Sequence, residues 1–433
     1  MKLSPRVYSL RVQLALSPSA RGLVIDSGDN LSRKNLLIYI LMLAFSMSLI
    51  PYTIDPYLPA FPAIGDFFGV PNGTIQASLS GVTIGLAFGQ LFAGPLSDTF
   101  GRRPLLLLAT LGFALSAIAL FFSPNLTFFV VLRFSMGFFA ASADVVARAI
   151  VRDLYHGQPM LKMLTRIFMI QSLSPIIGPI VGSQLVGVGP WQFVFLVFGL
   201  FGLALGIFSL LFMHETLPIA KRRSPSLSGM LRGFQSVLRD RIYVGLLIVS
   251  ALQISALFGY LNIVPYLYQD HFGLSAPEFG VWFAVNSVGL WLGVQFGGLM
   301  AKYFKAQWLM VIFIMLAMLS GLFLMLTAGT TLMAAEIGFF AVIFLFGAPS
   351  TIIPTIALLK HGSEAGTASS LMGTMNFVST SVAAVVYAQL STTSTSDIGL
   401  WVFSLFSISF AVIIFVVRPW TIPDLRTASP AHD

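Results

Sequence analysis

Gly94-Pro95-Leu96-Ser97-Asp98-Thr99-Phe100-Gly101-Arg102-Arg103-Pro104 separates two long apolar runs, and its reading decides the fold. Gly94 would let a neighbouring helix come close, and Gly101 permits a tight reversal. Asp98 supplies an acceptor at a membrane edge. Arg102 and Arg103 hold the turn on the side where basic loops resist translocation. A generic basic turn would account for the arginines, but not for Gly, Asp, Gly and Arg at this spacing.

Outward from this turn the apolar runs repeat. Twelve helices are predicted near residues 36–58, 75–96, 104–122, 127–147, 165–186, 191–212, 243–267, 278–301, 307–327, 332–357, 365–389 and 398–417. Each is close to the roughly 20 residues that cross a hydrocarbon core. Lys and Arg, Arg133 apart, fall on one side of this pattern, in the tails, the even-numbered loops or the helix ends beside them. The odd-numbered loops 59–74, 123–126, 187–190, 268–277, 328–331 and 390–397 hold none. This asymmetry predicts that both termini are cytoplasmic in an inner-membrane, multi-pass protein.

Composition agrees, with 57% hydrophobic and 9% charged residues against about 25% charged in a soluble domain. Twelve spans use about 240 residues, too many for a soluble catalytic domain to fit beside them, so no enzyme is expected. The net charge of +8 is spread over loops that would face anionic lipid, not nucleic acid. There is no cysteine, hence neither a disulfide nor a thiolate site. His156, His214, His271, His361 and His432 lie in loops or tails without metal-ligand spacing, and no phosphate-binding loop occurs. No metal, nucleotide or other cofactor is therefore expected. Residues 1–34 carry no usable signal peptide, because the apolar stretch Val7–Leu16 is short and broken by Arg11.

Residues 213–242 form the longest interior gap, basic and rich in Ser, Pro and Gly. They divide the chain into a cytoplasmic tail at 1–35, a six-helix bundle at 36–212, the linker, a second bundle at 243–417 and a tail at 418–433. Gly298-Leu-Met-Ala-Lys302, ending the eighth predicted helix, weakly echoes Gly94-Pro-Leu-Ser-Asp98 at the end of the second. That is what a duplicated membrane fold would show.

The turn at 94–104 resembles the G-x-x-x-D-x-x-G-R-R/K signature of the major facilitator superfamily, and the resemblance extends from about residue 36 to 418. It implies an all-α polytopic membrane protein, two six-helix bundles rocking about a central site. It also implies a cytoplasmic gate in which Gly94, Asp98, Gly101, Arg102 and Arg103 act with an acidic residue after the fourth helix, Asp153, and the start of the eleventh. Ser172-Leu-Ser-Pro175-Ile-Ile-Gly178-Pro179-Ile-Val-Gly182 is similar to the superfamily's antiporter motif, with Ser183 in place of a final glycine. Proline removes a backbone donor, so a bend is expected near Gly178-Pro179. Leu132-Arg133-Phe-Ser-Met136-Gly137 resembles the family's R-x-x-Q-G pattern, with Met136 in place of Gln. Asp55-Pro-Tyr-Leu-Pro59-Ala-Phe-Pro62, Val146–Asp153 and Gly366–Ser370 are similar to the bicyclomycin/chloramphenicol-resistance branch of drug/proton antiporters.

Charges inside membrane helices are costly and are the first functional candidates. At 1.5 Å rise per residue, Asp55 lies within roughly 8 Å of the outer end of its helix and Arg133 roughly 10 Å from the outer end of its own. Glu336 lies at a similar depth, so the three could meet around the cavity that the resemblance implies. Asp144 shares a face with Arg133, roughly 16 Å closer to the cytoplasm, and could instead pair with Arg148 or Arg152. These four are the candidates for proton coupling, with Arg133 expected to pair directly with a carboxylate. Gln253, Tyr260, Asn262, Asn286 and Asn376 are candidate substrate contacts or ordinary interhelical hydrogen-bonders.

The reading is a monomeric exporter of small, largely apolar compounds in exchange for protons, with the bilayer, protons and a small-molecule substrate as its partners. Export of an endogenous metabolite or siderophore, uncoupled facilitation, and a non-transporting membrane sensor remain open alternatives.

Overall fold

The computed structural model describes residues 33–155, 157–222, 233–326, 331–359, 361, 365–390 and 394–422. Most of the N-terminal tail, the centre of the linker, the end of the C-terminal tail, His156 and His432 lie outside the described residues. Among the described residues twelve helices are long and apolar enough to span a membrane. They are α1 (Asn35–Phe68), α2 (Gly73–Phe100), α3 (Arg102–Phe121), α4 (Leu126–Leu154), α5 (Lys162–Val188), α6 (Gln192–Phe212), α7 (Arg241–His271), α8 (Ala276–Tyr303), α9 (Ala306–Leu326), α10 (Leu332–Leu358), α11 (Gly366–Val386) and α12 (Thr395–Thr421). The ends bearing the Lys and Arg residues form one face, here called the basic face. The opposite ends form the far face.

The packing has an internal symmetry. In the first half α2 packs on α4, α3 on α6 and α1 on α5; in the second, α8 packs on α10, α9 on α12 and α7 on α11. Each pair maps onto the other by a shift of six helices. The halves meet through α2 against α11 and α5 against α8, which the same shift interchanges. Glycine sets the spacing inside each half. A Cβ at Gly85 of α2 would overlap the Phe134 carbonyl of α4, and one at Gly293 of α8 would overlap the Phe344 carbonyl of α10. Close backbone approach at small residues is how helices associate without a hydrophobic driving force between them. Gly94 has a looser role than expected, since a Cβ there would meet only Val145, at 3.9 Å.

Two expectations about helix shape need correction. α1 does not end near residue 58. Its α-helical part stops at Tyr52, a 3₁₀ turn runs through Asp55–Ala60, and a further helix covers Phe61–Phe68. Pro56 and Pro62 each sit in the first turn of a new helical piece, where the missing N–H has no ladder bond to lose. The run of prolines therefore bends the span instead of ending it. The break in α5 falls at Ser172-Leu173, between helical segments Gly157–Gln171 and Ser174–Val188, and not at Gly178-Pro179. Pro175 cannot donate to the Gln171 carbonyl, and Leu173 N turns to Ile170 O at 3.1 Å, so the ladder is lost one turn before the proline.

On the far face the halves are joined by Gln76 Nε2 donating to Asn262 O, Gln269 Nε2 donating to Pro59 O (both 3.2 Å) and the rings of Phe61 and Tyr266, 5.9 Å apart. Nearer the basic face, Ser370 Oγ donates to Gln90 O at 3.1 Å. Between these levels Thr83 and Ser381 share a hydroxyl hydrogen bond of 2.7 Å.

Candidate functional site

Below the far-face contacts lies a cavity of about 160 Å³ between the halves, walled by Ile54, Asp55 and Pro175 on one side and by Tyr260, Phe283 and Asn286 on the other. Tyr260 lies with its ring 6.0 Å from Phe283 and 5.3 Å from Phe339, giving the second half an aromatic wall.

Asp55 reaches this cavity because α1 changes helix type just before it. The residue is 8% exposed, and its carboxylate has neither a hydrogen bond nor an ion pair with a described residue. An ionised carboxylate there has no counter-charge, a cost that protonation or a ligand removes. The antiporter-like motif builds the floor behind it. Gly178 lies under Pro56 and Asp55, and a Cβ at Gly182 would overlap the Pro56 carbonyl. Ser183, standing where the motif has a glycine, abuts Gly280 of α8 and so belongs to the contact between the halves. Pro175 lines the cavity directly, and Pro179 is buried within the helix.

Arg133 does not pair with Asp55, contrary to expectation. It is fully buried, with Nη1 donating to the Thr53 carbonyl at 2.5 Å and its guanidinium 4.2 Å from the Tyr57 ring centroid and 5.6 Å from that of Phe195. The reason is local. Tyr57 N bonds Ile54 O where the 3₁₀ turn begins, so the Thr53 carbonyl loses the i+4 donor of a regular helix. Arg133 supplies one, and a cation at a helix C-terminus also complements the helix dipole. Aromatic faces take the rest of the charge. Met136 offers its sulfur at 3.9 Å, so the methionine in the R-x-x-Q-G-like stretch is at most a weak acceptor.

Asp144 is likewise not a partner of Arg133. Its Oδ1 pairs with Arg148 at 3.0 Å and its Oδ2 accepts from Gln90 Nε2 at 3.1 Å. Gln90 carries the backbone oxygen held by Ser370, so Asp144 braces the α2–α11 contact. Glu336 is buried against the cavity's second wall, accepting from the Tyr268 hydroxyl and from Asn286 Nδ2 at 2.9 Å. Of the polar candidates, Tyr260 and Asn286 line the cavity. Asn262 fixes the far-face contact through its carbonyl, Asn376 accepts from Ser250 at 3.0 Å, and Gln253 is buried away from the cavity wall. Asn262 and Asn376 make helix–helix contacts, Gln253 Nε2 has no hydrogen-bond partner among the described residues, and none of the three lines this cavity.

On the basic face Asp98, Arg102 and Asp153 of the expected gate meet, but among the described residues the start of the eleventh helix takes no part in their ion pairs. Arg102 Nη1 lies 2.5 Å from Asp98 Oδ1 and 2.6 Å from Ser97 Oγ, and its Nε lies 2.8 Å from Asp153. Asp98 ends α2 and Asp153 ends α4, so one guanidinium ties three helices. Arg103 donates to Leu210 O of α6 at 2.9 Å. Sequence reasoning missed Glu215. Its Oε1 accepts from the backbone N–H groups of Arg102, Thr216 and Leu217 (2.9–3.0 Å), and its Oε2 pairs with Arg222 at 3.2 Å. Gly101, at φ +102, leaves the room these groups occupy. An acidic residue directly after α6, opposite the Arg102 turn, was the available signal. The second-half echo forms no such gate: Gly298 meets nothing, and Lys302 makes no ion pair among the described residues.

Twelve spans, a repeated half, a cavity at the seam and a charged clasp on one face together define a membrane carrier. The chain belongs to the Major Facilitator Superfamily, whose family model matches residues 36–384, and is a multi-pass membrane transporter. It is similar to the uncharacterized MFS-type transporter YdgK of Bacillus subtilis, with 32% identity covering 77% of this chain and 85% of that protein. It is also similar to a bicyclomycin resistance protein homolog of Haemophilus influenzae, with 30% identity covering 80% and 87%. In fold it matches the partially occluded inward-open conformation of the xylose transporter XylE from E. coli, with a TM-score of 0.72 at 13% identity over 92% of this chain and all of that one.

Proposed function

We propose that this protein exports small, largely apolar compounds across the inner membrane in exchange for protons, with Asp55 as the proton-carrying group. The observation that carries the reading is the unpartnered, buried Asp55 on the wall of an otherwise apolar cavity at the seam of the two halves. The bicyclomycin-resistance name of the Haemophilus relative supports an antibiotic-like compound as cargo.

In this reading the basic face, with both termini, is cytoplasmic. Bundles 36–212 and 243–417 rock about the seams α2–α11 and α5–α8, joined by the linker 213–242. When the far face opens, Asp55 takes a proton from the outside and substrate leaves. When the basic face opens, the proton departs inward and substrate enters. Arg133 is a positioning residue: by holding the Thr53 carbonyl it keeps the bend that presents Asp55. The proton gradient supplies the work, about 2.3 kcal/mol per charge at 100 mV. The Arg102 clasp keeps the cytoplasmic ends of the first bundle moving as one body, and the protein acts as a monomer.

The test uses proteoliposomes holding the purified protein, with chloramphenicol as probe. Accumulation driven by an imposed proton gradient and abolished by a protonophore supports the proposal. Equal movement with and without the protonophore means facilitation without coupling.

A further inference from the structure

Glu336 has a place in the structure that proton carriage by Asp55 does not use. It is 4% exposed, lies near the far-face end of α10, and receives two donors, the Tyr268 hydroxyl and the Asn286 amide. Among the described residues no Lys, Arg or His forms an ion pair with it. Tyr268 stands in a π-helical turn, Leu267–His271, that ends α7. The next residue, Gln269, makes the 3.2 Å bond to Pro59 of the first half, and the ring of Tyr266 lies tilted against that of Phe61. Asn286 lines the cavity, and its Oδ1 is buried without a partner. One carboxylate thus touches the cavity wall through one donor and the far-face closure through the other. Single π turns inside helices recur at functional positions.

We infer that Glu336, Tyr268 and Asn286 form a second proton-linked device that holds the far-face gate shut, resting on the transport reading above. With the gate closed, Glu336 is a carboxylate satisfied by two donors. Opening requires the π turn to leave Pro59, which draws the Tyr268 hydroxyl away. A buried carboxylate stripped of a donor is costly, so Glu336 then takes a proton from the outer solution. It returns that proton when Tyr268 and Asn286 close on it again. Acid outside therefore favours the open gate. The titratable groups facing Glu336 are Tyr260 and Tyr268 of α7, while Asp55 of α1, across the cavity, faces Tyr260. Asp270 and His271 follow Tyr268 in the turn, Asn286 is its neighbour from α8, and α9 has no titratable residue along Ala306–Leu326.

The experiment reads gate position, not transport, so it stands or falls apart from Asp55. Spin labels go on cysteines replacing the exposed Phe122 and Leu326, at the far-face ends of α3 and α9 in opposite halves of a chain with no native cysteine. Distances are recorded from pH 5 to 8 in nanodiscs, in an Asp55→Asn background. The longer distance is expected to gain population as pH falls. Adding Glu336→Gln should remove that pH dependence. Tyr268→Phe should raise the open-to-closed ratio at pH 7 about tenfold, the ratio that one hydrogen bond to a charged group supports, and should weaken the pH dependence. A pH response that is absent in Asp55→Asn, or that survives Glu336→Gln, overturns the inference. If Glu336→Gln does not fold, an unchanged ratio in Tyr268→Phe overturns it equally.

Discussion

The guanidinium of Arg133 binds the carbonyl oxygen of Thr53, two residues ahead of Asp55, and no carboxylate. The one basic side chain deep in the first half therefore acts on the proposed proton site through the backbone. Arg133→Ala leaves a buried carbonyl unsatisfied, and we expect it to destabilise the protein by about 1–3 kcal/mol and to slow transport. The pH optimum of the remaining activity should stay where it was, because no charge pair with Asp55 is lost. Thermal melts in detergent and pH–rate profiles check both parts. A shifted optimum at unchanged stability would restore the charge-pair view.

Gly182 is the point at which α5 meets the carbonyl of Pro56. Gly182→Ala should cost about 1–3 kcal/mol, as overpacking does, and should reduce transport by displacing the Asp55 turn. Gly298→Ala, where a Cβ meets nothing, should change neither. Melting temperatures and transport rates of the two variants provide the comparison.

The Arg102 clasp joins residues of the first half alone, from α2, α3, α4 and the start of the linker. It is intact while the far face is closed. Arg102→Ala and Glu215→Gln should therefore loosen the basic ends of the first bundle and broaden label distances between the halves there, with probe binding nearly unaffected. Glu215→Gln should be the milder, since an amide oxygen still accepts from the backbone N–H groups. Distances as narrow as the parent's in Arg102→Ala would remove the gate from the mechanism.

Topology has its own check in a cysteine-free chain. Pro124 on the far face and Lys305 on the basic face are both exposed. An impermeant thiol reagent added to intact cells should label cysteine at 124 and not at 305. The reverse pattern would invert the membrane orientation.

The spans were legible because crossing a bilayer demands length and apolarity, which composition records directly. The pairing of Arg102 with Asp98 and Asp153 was legible through the family resemblance carried by the motif at 94–104. Pairings across the cavity were not. Depth along a helix places Asp55, Arg133 and Glu336 in one layer, but says nothing of rotation about each axis. Arg133 turns toward a carbonyl freed by the 3₁₀ turn at Asp55–Ala60, a bend whose prolines read equally well as the end of a helix. Glu336 turns toward a π turn that no periodicity announces. Glu215 was missed because its partners are mostly backbone N–H groups, which carry no residue identity.

Exchange through Asp55 is tested most directly by comparing proton-driven accumulation with probe counterflow in Asp55→Asn and the parent, both in proteoliposomes. A permanently neutral side chain leaves the cavity able to bind and the halves able to rock, but gives the proton nowhere to ride. Accumulation lost with counterflow retained is the expected result. Uphill accumulation at the parent's level in Asp55→Asn would contradict it.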